Sequence, residues 1–274
     1  MQNSVKLVSN AKISMLDDRR GDIYMQSGES KFTGKAEVYA RYRLSYPKIL
    51  IDFLYKESGF TRSSRIADIG AGTGKLSILF AMRGSRVTCV EPNAEMIEAA
   101  KKTLKNYTNC KFLPGTAEAI PLPDRSVDFV TAGQAFHWFD HDKFKTECRR
   151  ILKTGGLVFL VRNDSSFDAE VNAELSRINE KYCPDFMSLP AGIINDSVYN
   201  DFFYDGYDDL SYEFDVSSDE DSFVGSALST SFAPGKGDEN YERYVNEIRE
   251  IFHKYAENGR LISHITTLGQ LGAV

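Results

Sequence analysis

Apolar residues first fall into register over residues 32–46. Val38, Tyr39, Tyr42, Arg43 and Tyr46 lie at helical spacing, which predicts a helix with three phenols and a guanidinium on one broad face. Pro47, with Ser45 as its cap, predicts a second helix striped by Ile49, Leu50, Phe53 and Leu54. Ile66, Ala67 and Ile69 then make a short apolar run that stops at Gly70, as a buried parallel strand does. Leu76, Ile78, Leu79 and Ala81 predict a helix ended by Gly84, and residues 86–90 a second strand with Glu91 at its carboxyl end.

Strand and helix go on alternating. Asn93 caps a predicted helix carrying Met96, Ile97, Ala100 and Leu104; residues 110–113 and 127–131 follow as strands. Asp140 caps another helix, striped by Phe144, Cys148, Ile151 and Leu152 and stopped at Gly155 and Gly156, and residues 157–161 form a fifth strand. Val171, Leu175, Ile178 and Tyr182 mark a further helix. Residues 183–240 are weakly patterned, with a strand predicted at 210–216 and a helix at 220–228. Tyr244, Val245, Ile248, Ile251, Phe252 and Tyr255 predict an amphipathic helix before a last strand at 261–268. Such alternation is the signature of an α/β parallel sheet.

Composition narrows the function classes. A chain of 274 residues, 42% hydrophobic, is long enough for a full core. A net charge of −6 and scattered basic residues provide no field for nucleic acid or an anionic membrane. Cys89, Cys110, Cys148 and Cys183 lack paired spacing, so neither a disulfide nor a zinc framework is expected. No stretch has the length of a membrane span or of a signal-peptide core, which makes the cytoplasm the expected compartment.

The candidate chemistry centres on residues 65–96. Gly70, Gly72 and Gly74 form a turn to which a ligand can come close, because no Cβ stands in the way. At the carboxyl edge of such a sheet, an acid at the position of Glu91 holds ribose hydroxyls. The third glycine comes one residue early for a dinucleotide fingerprint. Asp68, two residues before the turn, repels a pyrophosphate and attracts a ligand carrying an ammonium and a sulfonium.

The run from Asp68 to Gly74, followed by Glu91-Pro92, resembles the first two motifs of class I S-adenosylmethionine-dependent methyltransferases. The likeness extends to residues 115–130, 134–140 and 152–160. It implies a Rossmann-like, seven-stranded, mostly parallel sheet whose last strand runs antiparallel between strands five and six, with a small helical cap. It divides the chain into an arm and lid helices (1–60), a cofactor-binding core (61–164), cap elements with one core strand (165–240) and a closing helix and strand (241–274). The implied cofactor is S-adenosyl-L-methionine, held by Asp68, Gly70, Ala71, Gly72, Gly74, Glu91, Pro92, Met96 and Gln134. Thr116, Ala117 and Glu118 match the positions that meet adenine. Residues 35–47 are similar to the lid segment of the methyltransferase-11 type, which nominates Arg43 for the methionine carboxylate and Tyr39 beside it; ordinary helix packing explains the tyrosines equally well.

His137, Trp138 and Phe136 are expected at the acceptor. His137 is the candidate base, with a pKa near working pH, or else a structural residue. His137 and His141 are four apart, without a third metal ligand, so no metal is expected. The implied reaction is methyl transfer to a carboxylate, hydroxyl or amine of a small molecule. A nicotinamide-dependent oxidoreductase and a non-catalytic nucleoside-binding protein stay open as alternatives.

Overall fold

The apolar runs become the middle of one sheet. The structure, a computed structural model, describes residues 6–8, 33–184, 186 and 196–274. Its strands are β1 (Lys6–Val8), β2 (Arg65–Ile69), β3 (Arg86–Glu91), β4 (Cys110–Pro114), β5 (Val127–Gly133), β6 (Leu152–Ser166), β7 (Tyr207–Ser218) and β8 (Leu261–Gly272). They lie in the order β1-β7-β8-β6-β5-β2-β3-β4. β2 through β6 pair in parallel with one another, and β8 runs antiparallel between β6 and β7. This is the Rossmann-like, seven-stranded sheet with a reversed last strand. Lys6–Val8 adds a three-residue eighth strand along β7; the rest of the predicted arm over 1–30 lies outside the described residues.

The helices are α1 (Ala36–Tyr42), α2 (Lys48–Glu57), α3 (Ser77–Ala81), α4 (Ala94–Thr103), α5 (His141–Ile151), α6 (Ala169–Tyr182), α7 (Asp196–Phe202), α8 (Glu220–Leu228) and α9 (Tyr241–Tyr255). Strand alternation sends Ile66, Phe129 and Phe159 to one face, against Leu50 and Leu54 of α2 and Phe80 of α3. Ala67, Val130 and Leu160 go to the other, against Phe144 and Ile151 of α5 and Phe202 of α7. A separate core joins α6, α8 and α9 through Ile178, Phe223, Ile248 and Phe252 beneath Leu261 of β8. α7 had no signature in the sequence pattern; Tyr199 and Phe202 anchor it by joining the aromatic side of the second face.

Two of the three predicted polar caps are made. Asn93 Oδ1 accepts from the N–H groups of Glu95 and Met96, and Asp140 Oδ1 from that of Lys143; such caps are worth about 1 kcal/mol each. Three expectations are corrected. Ser45 does not cap α2, because the chain stays extended to Pro47, which itself occupies the capping position without a side-chain bond. Leu152 does not continue α5, because it is already extended and pairs with Val127 as the start of β6. The three tyrosines do not share a helix face, because α1 ends at Tyr42 and Arg43 is extended.

Candidate functional site

The sheet order reverses where β2 lies between β3 and β5, and the crevice beyond their carboxyl ends is where such sheets take ligands. The turn after β2 fills one side of it. Gly70 (φ +63°) and Gly72 (φ +54°) are left-handed, a conformation that side chains resist. A Cβ on Gly70 would come within 2.7 Å of the Ala135 Cβ, whereas one on Gly72 would meet nothing nearer than a backbone oxygen at 4.0 Å. The first glycine therefore packs against the turn after β5, and the second faces open space. Ala71 N–H bonds to the Val90 carbonyl at 3.1 Å and ties the turn to β3.

Asp68 lies wholly buried beneath this turn. Its carboxylate accepts from Ser77 Oγ at 2.5 Å and Thr131 Oγ1 at 2.9 Å, and Cys89 Sγ approaches Ser77 Oγ at 3.2 Å. Burial pushes its pKa up to about 6, against the pull of both hydroxyls. The folded protein thus keeps this proton to higher pH than the unfolded chain does. The group therefore costs stability progressively as pH rises from 3.8 to about 6, and fully above that. Asp68→Asn is expected to gain stability relative to the parent as pH rises through that window. Urea denaturation of both proteins at several pH values checks this; a difference that does not change with pH would contradict it.

Glu91 closes the second side. Its Oε2 accepts from Gly72 N–H at 2.9 Å and its Oε1 from Asn93 N–H at 3.0 Å, and the residue is only 9% exposed. The acid is thus pinned to the glycine turn itself. Met96 is buried on α4 and Pro92 is half-buried beside Glu91. Gly74 (φ +80°) backs onto Leu104, away from the crevice.

Together the turn and α1 border a small recess, lined by Tyr39, Arg43, Tyr46, Asp68, Thr73, Lys75 and Gln134 as well as the turn. Gln134 is itself left-handed (φ +54°), a strain of the kind that clusters at functional positions. Its side chain donates to the Asn163 carbonyl at 2.8 Å. The Arg43 guanidinium stacks over Tyr39, its centre 5.8 Å from the ring, and pairs with no carboxylate among the described residues. Thr73, Ser77, Thr131 and Lys75 escaped the sequence reading, and Tyr46 entered it only as one phenol of the predicted helix stripe. Only Lys75 and Thr73 carried a local signal, by lying inside the glycine run. Three features suit a polar, partly charged ligand here: among the described residues the buried Thr73 Oγ1 has no hydrogen-bond partner and Arg43 no carboxylate, and Gly72 faces open space.

α1 is fixed to the cap at both ends. Lys35 Nζ donates to the carbonyls of Thr230, Ser231 and Ala233 just beyond α8, at 3.0, 3.1 and 2.5 Å. Tyr42 Oη and Arg41 Nη2 bond to Asp221 in the first turn of α8, at 2.8 and 2.9 Å. Tyr42 lies flat on Gly225, where a Cβ would stand 2.4 Å from the ring. The face that turns Tyr39 into the recess is thus set from behind by α8.

The other predicted residues fall unevenly around the crevice. Glu118 Oε1 accepts from the Asp140 N–H at 3.0 Å, so this acid braces the start of α5. Ala117 is buried in the core and Thr116 is exposed. Phe136, His137 and Trp138 form one 3₁₀ turn. Phe136 belongs to the core: its ring is 4% exposed and stacks on His141 and Tyr199, leaving no surface for a substrate. His137 and His141 do not share a helix face, because the turn ends before α5 begins. Among the described residues no three His, Cys, Asp or Glu side chains gather as metal ligands. The expectation of a His137 pKa near working pH is corrected too. Burial, with the charges of Arg43, Arg162 and His141, drives it down to about 4, so the imidazole is neutral at pH 7. No helix among the described residues is long and apolar enough to cross a membrane.

Known proteins agree with this architecture. Residues 67–160, from β2 to the middle of β6, match the methyltransferase domain family model. An uncharacterized methyltransferase of Mycobacterium tuberculosis is 40% identical over 132 residues, 48% of this chain and 51% of that protein. One of Schizosaccharomyces pombe is 36% identical over 126 residues, 46% of this chain and 49% of its own. The matched stretch thus spans about half the length of these curated relatives. The fold alone is shared with a candidate type II methyltransferase from Anaeromyxobacter dehalogenans, at TM-score 0.58 and 23% identity over 85% of this chain and 98% of that one. It is shared as well with YcgJ of Bacillus subtilis, at TM-score 0.51 and 21% identity over 82% and 98% of the two chains. Glycine turn, buried Asp68 and pinned Glu91 all lie within the matched span, the part of this chain that is similar to the methyltransferase domain of the methyltransferase-11 family.

Proposed function

We propose that the protein is an S-adenosylmethionine-dependent methyltransferase acting on a small molecule. One observation carries this reading: the Glu91 carboxylate is bonded to the Gly72 N–H directly above buried Asp68. That arrangement offers a ribose acceptor, an exposed backbone turn and negative charge below it, a set that suits a cationic nucleoside better than a pyrophosphate. Arg43 is the partner for the methionine carboxylate, since a fork of donors matches it, with Tyr39, Thr73 and Gln134 around it. The adenine lies towards residues 116–118, where Glu118 acts by holding the Asp140 N–H rather than by direct contact. The methyl acceptor lies towards His137 and Trp138.

When bound, the cofactor supplies an electrophilic methyl group on a sulfonium. The chain's part is to hold both reactants in line and to keep water out, and well-oriented pairs reach effective molarities of about 10⁵–10⁸ M. α1 and the cap close the recess for that purpose. His137, neutral, orients an acceptor hydroxyl, amine or carboxylate by hydrogen bonding. His137→Ala is expected to lower turnover about tenfold, roughly 1.4 kcal/mol of transition-state stabilisation, with cofactor affinity nearly intact. Loss of both together would assign His137 to the frame of the site instead.

The lid makes a second prediction. Gly225→Val drives a side chain into Tyr42 and tilts α1, and is expected to weaken S-adenosylhomocysteine binding about fivefold, roughly 1 kcal/mol. Tyr42→Ala in the same protein makes room again and restores most of that loss. Calorimetric titration of both variants checks it, and a double variant no better than the single one would contradict it. The reaction itself is tested by incubating the protein with labelled cofactor and a metabolite mixture. Release of S-adenosylhomocysteine that depends on the mixture supports an enzyme, and tight cofactor binding with no release in any mixture supports a non-catalytic binder.

A further inference from the structure

A second guanidinium stands near the end of the sheet at His137, on the side away from the glycine turn. Arg162 is bracketed on β6 by Gln134, whose backbone N–H bonds to the Val161 carbonyl at 2.9 Å while its side chain bonds to the Asn163 carbonyl at 2.8 Å. Asn163 Nδ2 in turn donates to the Ser45 carbonyl at 3.2 Å, between Arg43 and Tyr46. Arg162 therefore sits on the frame of the recess without lining it. Its side chain is only 23% exposed. Nη1 donates to Tyr199 Oη at 2.7 Å, and Nε alone reaches both Asp164 oxygens, each at 3.2 Å. That contact is not the forked pairing a guanidinium makes with a carboxylate. Nη2 makes no hydrogen bond among the described residues. Tyr199 is fixed by stacking on Phe136, ring centroids 5.9 Å apart, and so adjoins the His137 turn. Arg43 and Arg162 both lie close enough to His137 for their charges to oppose its protonation.

One of these two cations has a ligand under the methyltransferase reading, since Arg43 takes the methionine carboxylate. The other is paired with Asp164 through Nε alone, which leaves its Nη edge open to a second acceptor in a half-buried place. We propose that Arg162 and Tyr199 hold a carboxylate of the methyl acceptor, a small acid whose flat apolar body lies along His137 and Trp138. This inference rests on the proposed methyltransferase activity and adds to it the acceptor's chemical class. The carboxylate here is the grip and not the nucleophile: pairing with a guanidinium draws electron density from its oxygens, so the atom that receives the methyl lies elsewhere on the acceptor. His137, already neutral, is left to orient that atom.

The test uses the full chain, with benzoate as the probe and benzamide as its uncharged counterpart, each titrated with and without saturating S-adenosylhomocysteine. Benzoate is expected to bind at millimolar concentration and benzamide at least tenfold more weakly. Arg162→Met should weaken benzoate at least tenfold and Tyr199→Phe about threefold, with S-adenosylhomocysteine affinity unchanged within twofold in both. Arg162→Lys, which keeps the charge but not the fork, should fall between, and serves if the methionine variant folds poorly. Equal binding of acid and amide, no benzoate binding to the parent protein, or unchanged benzoate affinity in the Arg162 variants would each overturn the proposal. Failure of S-adenosylhomocysteine itself to bind is a separate result: it sinks the parent reading, while the titrations without it still judge the anion site.

Discussion

Replacing Glu91 with alanine is expected to weaken S-adenosylhomocysteine binding by at least tenfold, about 1.4 kcal/mol. Three losses add in this variant. The ribose hydroxyls lose their acceptor, and the Gly72 N–H loses the 2.9 Å bond that holds the turn open towards the crevice. The Asn93 N–H, bonded at 3.0 Å, is released as well, which loosens the start of α4. Glu91→Gln separates the effects: an amide oxygen can keep one backbone bond but is a weaker acceptor for the second pair, so its loss should be smaller. Calorimetry with the two variants decides the matter. Unchanged affinity in Glu91→Ala would reject the ribose assignment outright.

Gly70→Val is expected to cost about 3 kcal/mol of folding stability, the largest single effect on the fold itself. A branched side chain at a left-handed φ is strained by roughly 1–2 kcal/mol. Overpacking adds about 1–3 kcal/mol, since the new Cβ would stand 2.7 Å from Ala135 and 3.2 Å from the Phe139 ring. Neither neighbour can retreat, because Ala135 and Phe139 belong to the buried cluster under α5. Gly72→Ala provides the contrast: it shares the backbone strain but faces open space, so it should cost less stability and more ligand affinity. Denaturant midpoints and S-adenosylhomocysteine titrations on the pair measure both quantities, and equal stability losses would contradict the packing account.

The glycine turn and its two acids were legible in the sequence because each depends on local chemistry: an apolar run, residues without a Cβ, and an acid one strand later. Short apolar runs likewise marked β2, β3 and β5, whose side chains are buried on both faces. What escaped was whatever two distant segments make together. Ser77 looks like an ordinary polar residue at a helix start, yet its hydroxyl meets Asp68 in the core. Tyr46 was grouped with its helical neighbours, but the helix stops at Tyr42, and an extended turn brings the phenol over Gly133. Arg162 and Tyr199 gave no signal at all, since one lies in the part of β6 beyond the predicted strand and the other in α7, the helix that the weak pattern of residues 183–240 concealed. Glu118 and Phe136 erred the other way. Their motif positions suggested ligand contact, and the fold uses them to brace α5 and to fill the aromatic core.

The central claim is that the crevice between the glycine turn and Glu91 takes a cationic adenosine derivative. It is tested most directly by titrating the purified protein with S-adenosylmethionine, S-adenosylhomocysteine, NAD and NADP in one calorimetric series. The account predicts one site per chain for the first two and no measurable heat from the dinucleotides, with Glu91→Ala abolishing most of the signal. Binding of a dinucleotide in preference to the adenosine sulfur compounds, or of none of the four, would contradict it.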